Sequence, residues 1–275
     1  MLWGPIGTHI LREVQTGIDQ ALAASGYHEL RCNLVYDADP AERQARFLKK
    51  ILDDDSVAGL LAAFVLISET EMKKFEARGK PVVLLDCEPA QHIRGSVNVD
   101  HAFIATEIVK AIAARGRKSI AYVGPASGEA WVWSQRHGSL ALAVKEEGLE
   151  FEFEMDTNFE SVGEGESTRR LLDRRGDIGA IVYASDLQAL GGMRAIKERR
   201  RKIPDDIIVI GFDDSNASRS VMPALSTVRQ PFMEMGSAAA RMLLDVLGGN
   251  KSALRNIKLE SKLILRDSYG ATDIK

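Results

Sequence analysis

Two adjacent carboxylates, Asp213 and Asp214, are the residues of this 275-residue chain best placed for chemistry. They follow residues 207–210, an unbroken β-branched run that is typical of a strand buried on both faces of a parallel sheet. In open α/β sheets, ligands bind outside the carboxyl ends of such strands. Asp213 could therefore accept hydrogen bonds from a ligand that carries hydroxyl or amino groups. The alternative is that both aspartates only begin a turn, a position that aspartate favours.

A second group of side chains, Trp131 and Trp133, is predicted to lie in a loop just after another strand. Aromatic faces stack on sugar rings and on flat heterocycles such as purines, and ligand pockets are rich in them. Tryptophans also fill the apolar core between domains. The sequence leaves both alternatives open.

Motifs of common enzymes and cofactor sites are absent from the sequence. The nearest match to a dinucleotide-binding loop, residues 163–168, lacks the third glycine and carries glutamates that would repel a pyrophosphate. There is no Walker-type loop, no G-x-S-x-G elbow and no zinc-binding histidine pair. Asp100 and His101 could form an acid–base pair, but an aspartate before a helix is by default a capping residue. We therefore predict no catalytic residue, no metal site and no cofactor.

The composition is that of an ordinary water-soluble globular protein. The net charge is −3, so this chain is a poor candidate for binding nucleic acid by itself. The one basic run, residues 197–202, is predicted to be the solvated end of a helix, where cations complement the helix dipole. Cys32 and Cys87 lie in apolar runs and are expected to be buried, reduced thiols. Neither a leader peptide nor a membrane span is evident, which favours the cytoplasm.

Strand-like and helix-like segments alternate along almost the whole chain, in two rounds. This alternation predicts an α/β fold of two doubly wound parallel-sheet layers. Glycine and proline at residues 124–128 suggest the boundary between the layers. The patterns predict helices at 9–25, 40–52, 102–114, 134–147, 165–174, 187–200 and 232–247, and strands at 30–36, 119–123, 151–155, 178–183, 207–210 and 255–265.

An ordered set of motifs from about residue 6 to residue 268 resembles the regulatory core of the LacI/GalR family of bacterial transcription regulators. Each motif alone is weak, but their number and order make the resemblance specific. The motifs are PVVLLD at 81–86, ASDLQALG at 184–191, the segment from PDD at 204–206 to GFDD at 211–214, LSTVRQP at 225–231 and RDS at 266–268.

The resemblance implies a type I periplasmic-binding-protein-like fold, with two lobes joined by three crossovers and an effector held between the lobes. On the family pattern, the amino-terminal lobe comprises residues 1–124 plus 229–250, and the carboxyl-terminal lobe comprises residues 125–228 plus 251–275. The first lobe would form a homodimer. Its candidate dimer contacts are the helical residues Phe47, Leu48 and Ile51.

The resemblance also implies which residues contact the effector. Arg136 and Asp213 would supply donors and an acceptor for neighbouring hydroxyl groups, and Phe159 a stacking face. The positions that match the family's effector contacts are Thr8, Ile10, Asp100, Arg136, Phe159, Ser185 and Asp213, and the ligand-binding set is completed by Trp131 and Trp133.

The sequence departs from the family pattern at several points. Ser185 stands where asparagine is usual, which shortens one hydrogen-bonding arm, and Ser139 stands where glycine is usual. The amino-terminal helix-turn-helix and hinge helix of the family are missing, and the first strand is poorly matched. We infer that this sequence is a piece of a longer regulator.

The favoured hypothesis is the effector-sensing core of a LacI-type regulator, expected to be a repressor without enzymatic activity. The effector would be a sugar or sugar derivative, with a purine as the alternative, and operator DNA would be contacted only through the missing head. A periplasmic sugar-binding protein of an uptake system is the second hypothesis. An enzyme that uses Asp213, Asp214 and His101 is disfavoured, because no nucleophile–base pattern accompanies them.

Overall fold

The computed structural model describes residues 1–3, 8–33, 39–87, 94–125, 131–156 and 165–270. Helices and strands alternate through most of this range. In chain order the elements are β1 (Leu2–Trp3), α1 (Thr8–Leu22), β2 (Cys32–Asn33), α2 (Pro40–Asp53), β3 (Leu60–Ala63), α3 (Glu69–Ala77), β4 (Val82–Leu85), β5 (Ser96–Val99), α4 (His101–Ala114), β6 (Ser119–Gly124), α5 (Trp131–Glu146), β7 (Glu150–Met155), α6 (Glu166–Arg174), β8 (Ala180–Tyr183), α7 (Asp186–Glu198), β9 (Ile208–Phe212), α8 (Asn216–Ser220), β10 (Ser226–Arg229), α9 (Phe232–Leu247), a 3-10 turn (Lys251–Ala253), β11 (Asn256–Leu259) and β12 (Lys262–Ile264).

The chain divides into two units, each built around one six-stranded sheet. Unit 1 comprises Met1–Val99 and Pro231–Leu259, and unit 2 comprises Asp100–Gln230 and Glu260–Lys275. The chain therefore passes from one unit to the other three times. The predicted fold class, two parallel-sheet α/β layers with three crossovers, is confirmed.

Parallel pairing dominates both sheets. Unit 1 has the strand order β11-β5-β4-β3-β1-β2, and unit 2 has the order β12-β10-β9-β8-β6-β7. In unit 2, β12 pairs antiparallel with β10. All residues of β3, β4, β6, β8 and β9 are buried, as expected for strands covered on both faces by helices.

The unit boundaries differ from the predicted lobes at all three crossovers, although by only two residues at the second, which lies between Gln230 and Pro231. The prediction ended the first lobe at residue 124, but β6 pairs with both β7 and β8 and so belongs to unit 2. The prediction also gave residues 251–275 to the second lobe, but β11 pairs with β5 in unit 1. The Gly124-Pro125 pair therefore marks the end of a strand and not a boundary between units.

Helices α1 and α9 of unit 1 are in close contact through two glycines. A Cβ atom on Gly17 would lie 2.0 Å from the carbonyl oxygen of Met233, and one on Gly236 would lie 2.1 Å from that of Val14. Real Cβ atoms do not approach a backbone this closely, so both positions require glycine. The apolar faces of the two helices pack on the sheet, with Val14, Ile18 and Met235 fully buried.

Three local predictions were wrong. The predicted strand at 255–265 is two strands, β11 and β12, because the chain passes between the units at Glu260. Trp131 and Trp133 lie in the first turn of α5 and not in a loop. Leu48 and Ile51, proposed as exposed dimer contacts, are 3% and 2% exposed and belong to the core of unit 1, whereas Phe47 packs partly buried against that core.

Two other expectations concern the thiols and the membrane. Cys32 and Cys87 are buried free cysteines, as predicted, and burial raises the pKa of the Cys87 thiol to about 12. Among the described residues, no helix combines the length and the apolar character that crossing a bilayer would need.

Candidate functional site

Asp213 lies immediately after β9, at the carboxyl edge of the sheet of unit 2. Its backbone N–H donates to the carbonyl of Val228 across 2.8 Å, which ties it to β10. Its φ is +100°, a conformation that is uncommon for any residue other than glycine. Its Oδ1 accepts a hydrogen bond from Nε2 of Gln230 at 2.8 Å. The carboxylate is thus held in one place by the neighbouring strand.

Arg136 connects the ends of two strands from its position on α5. Its Nη1 donates to the carbonyl of Ala184, the residue after β8, across 2.7 Å. Its guanidinium carbon lies 4.5 Å from the ring centroid of Phe212, the last residue of β9, and 4.9 Å from that of Trp133. Two aromatic faces therefore contact the guanidinium and restrict its orientation.

The Arg136 side chain is buried, with 6% of its surface exposed. Its Nε is buried and has no hydrogen-bond partner within the described residues. An arginine in this state costs free energy unless another group accepts its hydrogen bond. Arg136 Nε is therefore a buried donor whose hydrogen bond no described residue accepts.

The next residues along the edge, Ser185 and Asp186, begin α7. The hydroxyl of Ser185 accepts a hydrogen bond from the backbone N–H of Gln188 at 3.2 Å, so the side chain caps the helix. Asp186 is 1% exposed, and its two carboxylate oxygens accept from the hydroxyl of Thr227 at 2.5 Å and from the N–H of Ser215 at 2.7 Å. Asp186 thereby joins β8, β9 and β10 at one point.

Asp186 and Asp213 form a pair of carboxylates with different environments. Burial, and next the negative charge of Asp213, raise the pKa of Asp186 to about 7. Near neutral pH, Asp186 therefore carries a proton for part of the time. The sequence did not single out Asp186, Thr227 or Gln230, although the first lies in the ASDLQALG motif and the other two in LSTVRQP.

Asp214 has a larger role than the turn residue that the sequence suggested. Its side chain is 2% exposed and bonds to three arginines: Arg219 at 2.8 Å, Arg229 at 2.7 Å, and Arg266. Burial disfavours the charged carboxylate, but the three arginine hydrogen bonds outweigh burial and lower its pKa to about 2. Asp214 therefore stabilises the carboxyl edge of unit 2 while Asp213 remains beside it.

Asp100 and His101, a possible acid–base pair in the sequence, lie at the start of α4. Asp100 is the N-cap of α4, and its carboxylate accepts from the N–H of Phe103 at 3.0 Å, as the capping prediction required. His101 is buried, with its ring edge-on to Trp131 at a centroid distance of 6.2 Å. Within the described residues, no group of three or more His, Cys, Asp or Glu side chains could hold a metal ion.

The remaining predicted site residues are distributed over both units. Trp133 packs partly buried against the core of unit 2 itself, and its ring contacts the guanidinium of Arg136. Thr8 and Ile10 begin α1 of unit 1, where Ile10 packs partly buried against the core. Phe159 lies outside the described residues.

Comparison with known proteins places this geometry in a family. Residues 109–269, more than half of the chain, match the family model described as "Periplasmic binding protein-like domain". The chain is 30% identical over 264 residues to the HTH-type transcriptional regulator MalR of Streptomyces coelicolor, covering 91% of this chain and 74% of MalR. A solved LacI family transcriptional regulator from Arthrobacter sp. FB24, in complex with lactose, superposes with a TM-score of 0.79 at 21% identity, covering 97% of each chain. The chain belongs to the LacI family of transcriptional regulators.

A second structure extends the comparison within the LacI family. The regulator CelR in its complex with cellobiose has a TM-score of 0.82 and 20% sequence identity, and the match covers 97% of this chain and 83% of that one. The compared relatives are regulators of transcription, which supports the effector-sensing core of a LacI-type regulator over a periplasmic uptake protein. The family expectation from the sequence motifs is confirmed.

Proposed function

We propose that this LacI family core binds a sugar or sugar derivative at the carboxyl edge of the sheet of unit 2, and that binding regulates transcription. The observation that carries the proposal is the position of Arg136. Its guanidinium contacts Phe212, the residue before Asp213, and donates to Ala184, the residue before Ser185. Arg136, on α5, thus brings a fixed donor to the ends of the adjacent strands β8 and β9, and Asp213, a fixed acceptor, directly follows β9.

The chemistry of these two groups suits vicinal hydroxyls. A hydroxyl group donates to the Asp213 carboxylate while accepting from a guanidinium N–H, and neighbouring sugar hydroxyls can use both. The solved relatives with lactose and with cellobiose support this ligand class. A purine is the weaker alternative, because Arg136 already covers one face of Trp133, one of the two tryptophans that could stack on it.

We propose that the effector acts by differential affinity for two arrangements of the regulator. A ligand shifts such an equilibrium only as far as its affinities for the two states differ. A difference in binding free energy of about 5.5 kcal/mol shifts the ratio of the two states from 1:99 to 99:1. In a complete regulator, a homodimer would pass this shift to two DNA-reading heads in the cytoplasm. The core itself would carry out no catalysis, and a repressor is the expected sense of regulation.

A thermal-shift screen of disaccharides, monosaccharides, sugar phosphates and purines tests the ligand class. A ligand at one hundred times its Kd should stabilise the fold by about 2.7 kcal/mol. Cellobiose and lactose are the first probes. Stabilisation by purines alone, with none by any sugar, would refute the proposed class.

Substitutions at the two polar groups test the site. We expect Asp213→Ala and Arg136→Lys to remove the sugar-induced shift, because they delete the acceptor and the planar donor fork. Asp205→Ala, an exposed aspartate of the same unit, is the matched control and should retain the shift. If Asp213→Ala retained the full shift, Asp213 would not be part of the site.

A further inference from the structure

A large cavity lies in unit 1, at the edge of its sheet opposite to the carboxyl ends of the strands. Its volume is about 600 Å³, and Met1 before β1 and Ala58 to Leu60 at the start of β3 form its floor. The second half of α1 and the carboxyl-terminal ends of α2 and α9 form its walls. This volume lies within the roughly 300–1,000 Å³ of small-molecule sites. None of the proposed effector-binding residues lines this cavity.

The walls of this cavity are mainly apolar. Ile18 and Ile51 at its base are 0% and 2% exposed and belong to the core. Leu30 also lines it and is 49% exposed. Further apolar lining comes from Leu22, Phe47, Val57, Leu243, Leu244 and Leu247.

Two carboxylates, those of Glu29 and Asp54, line this cavity, and Glu29 lies among its apolar residues. The Glu29 side chain is only 10% exposed. Its Oε2 accepts from Nε2 of Gln15 at 2.7 Å and from Nε of Arg31 at 3.0 Å. Its Oε1 is buried and has no hydrogen-bond partner within the described part of the chain. A buried carboxylate oxygen without a donor is costly, so this atom favours a ligand that brings one.

The other charged groups around the cavity already have partners or lie at its mouth. The amino group of Met1 donates to the carbonyl of Leu30. The carboxylate of Asp54 accepts from the N–H and the hydroxyl of Ser56, at 3.0 Å and 2.6 Å. Lys50 is exposed in the last turn of α2. Glu29 also has cationic neighbours, the Arg31 guanidinium and the Met1 amino group, but its Oε1 is without a donor among the described residues, which makes it the group that would select a ligand.

We propose that this cavity is a second ligand site, for an apolar small molecule with a single ammonium group, and that Glu29 receives the ammonium. The apolar body would cover the leucine walls, and an N–H of the head would complete the hydrogen bonding of Oε1. A charged donor on a buried carboxylate makes a shorter and stronger hydrogen bond than a neutral one. This site is independent of the proposed effector site.

Three probes with the same body and different heads test the proposal. They are 4-phenylbutylamine, 4-phenylbutan-1-ol and 4-phenylbutanoate, each titrated calorimetrically into the 275-residue chain. We expect the amine to bind about tenfold or more tightly than the alcohol, and the acid not to bind. Equal binding of amine and acid, or no saturable binding of the amine, would overturn the proposal.

Variants locate the binding. Glu29→Gln should reduce the affinity for the amine to that for the alcohol, while Glu234→Gln, an exposed glutamate of the same unit, should change neither. Ala58→Phe should block both ligands by filling the cavity. Asp213→Asn should leave amine binding unchanged. If this variant lost amine binding, the amine would bind in unit 2, and the proposal would be overturned. Thermal unfolding of each free variant verifies that it is folded.

Discussion

Gln230 donates its side-chain amide to Asp213 Oδ1 across 2.8 Å. Gln230 is 2% exposed and is the last residue of unit 2 before the chain passes into unit 1. The carboxylate proposed to bind the effector is therefore held by the residue at the crossover. A change in the crossover that moved this amide would also change the acceptor that the ligand meets.

The first prediction is that Gln230→Met weakens effector binding without removing it. Methionine retains the length of the side chain but cannot donate to Asp213, so the carboxylate loses the hydrogen bond that fixes its orientation. We expect roughly a tenfold loss in affinity for the sugar found by screening, measured by calorimetry. Gln20→Met, on the exposed face of α1, is the control. Wild-type affinity in Gln230→Met would show that the amide does not position Asp213.

The second prediction concerns the arginine cluster around Asp214. Asp214→Asn removes the charge that three arginines share, and leaves the Arg266 guanidinium, 15% exposed, without its counter-ion. Breaking a buried ion pair on one side costs about 3 kcal/mol or more in the free energy of unfolding. Arg219→Met removes a partner that is 53% exposed and should cost about 1 kcal/mol or less. Urea unfolding of both variants measures this difference, and equal costs would contradict it.

The third prediction is a pH dependence of stability set by Asp186. Its folded pKa, about 7, lies above the value of about 3.9 expected in the unfolded chain. The folded state therefore binds more protons than the unfolded state between these values. The stabilisation is fully present below pH 4 and is lost as the pH rises through 7. The limiting slope is about 1.4 kcal/mol per pH unit for one proton.

Asp186→Asn should flatten this part of the stability profile. Asparagine can accept from the N–H of Ser215 and donate to the hydroxyl of Thr227, so it retains both contacts without a charge. The free energy of unfolding of the variant, relative to wild type, should rise between pH 4.5 and pH 7.5. Asp205→Asn, an exposed control, should run parallel to wild type. A wild-type slope in Asp186→Asn would mean that another group titrates in this range.

The sequence predicted those helices and strands whose buried apolar residues recur at a regular spacing along the chain. Helix α9 was predicted at its observed bounds, because its apolar positions are regular and Gly248 ends it. Strand β5 was not recognised, because two of its four residues, Ser96 and Asn98, are polar although buried. The hydroxyl of Ser96 donates to Asn256, which lies 160 residues away along the chain. The side chain of Asn98 accepts from the backbone N–H of Cys87, in the segment after β4. Local patterns do not reveal such pairs.

Local sequence patterns also predicted the candidate site only in part. The position of Asp213 at the end of a buried strand could be predicted from the residues before it. The partners of Asp213 and Asp186 could not, since Gln230 lies 17 residues and Thr227 lies 41 residues away along the chain. The roles of Arg229 and Arg266 at Asp214 likewise depend on β10 and the carboxyl-terminal segment meeting β9.

The fourth prediction compares two glycines in helices. Gly236→Ala places a Cβ atom 2.1 Å from the carbonyl oxygen of Val14, and neither backbone can yield without separating α1 from α9. We expect a loss of about 2 kcal/mol or more in the free energy of unfolding. Gly138 lies in α5, where an added Cβ meets nothing within 4 Å, so Gly138→Ala should stabilise by about 0.5–1 kcal/mol through helix propensity. A neutral or stabilising Gly236→Ala would contradict the close contact between α1 and α9.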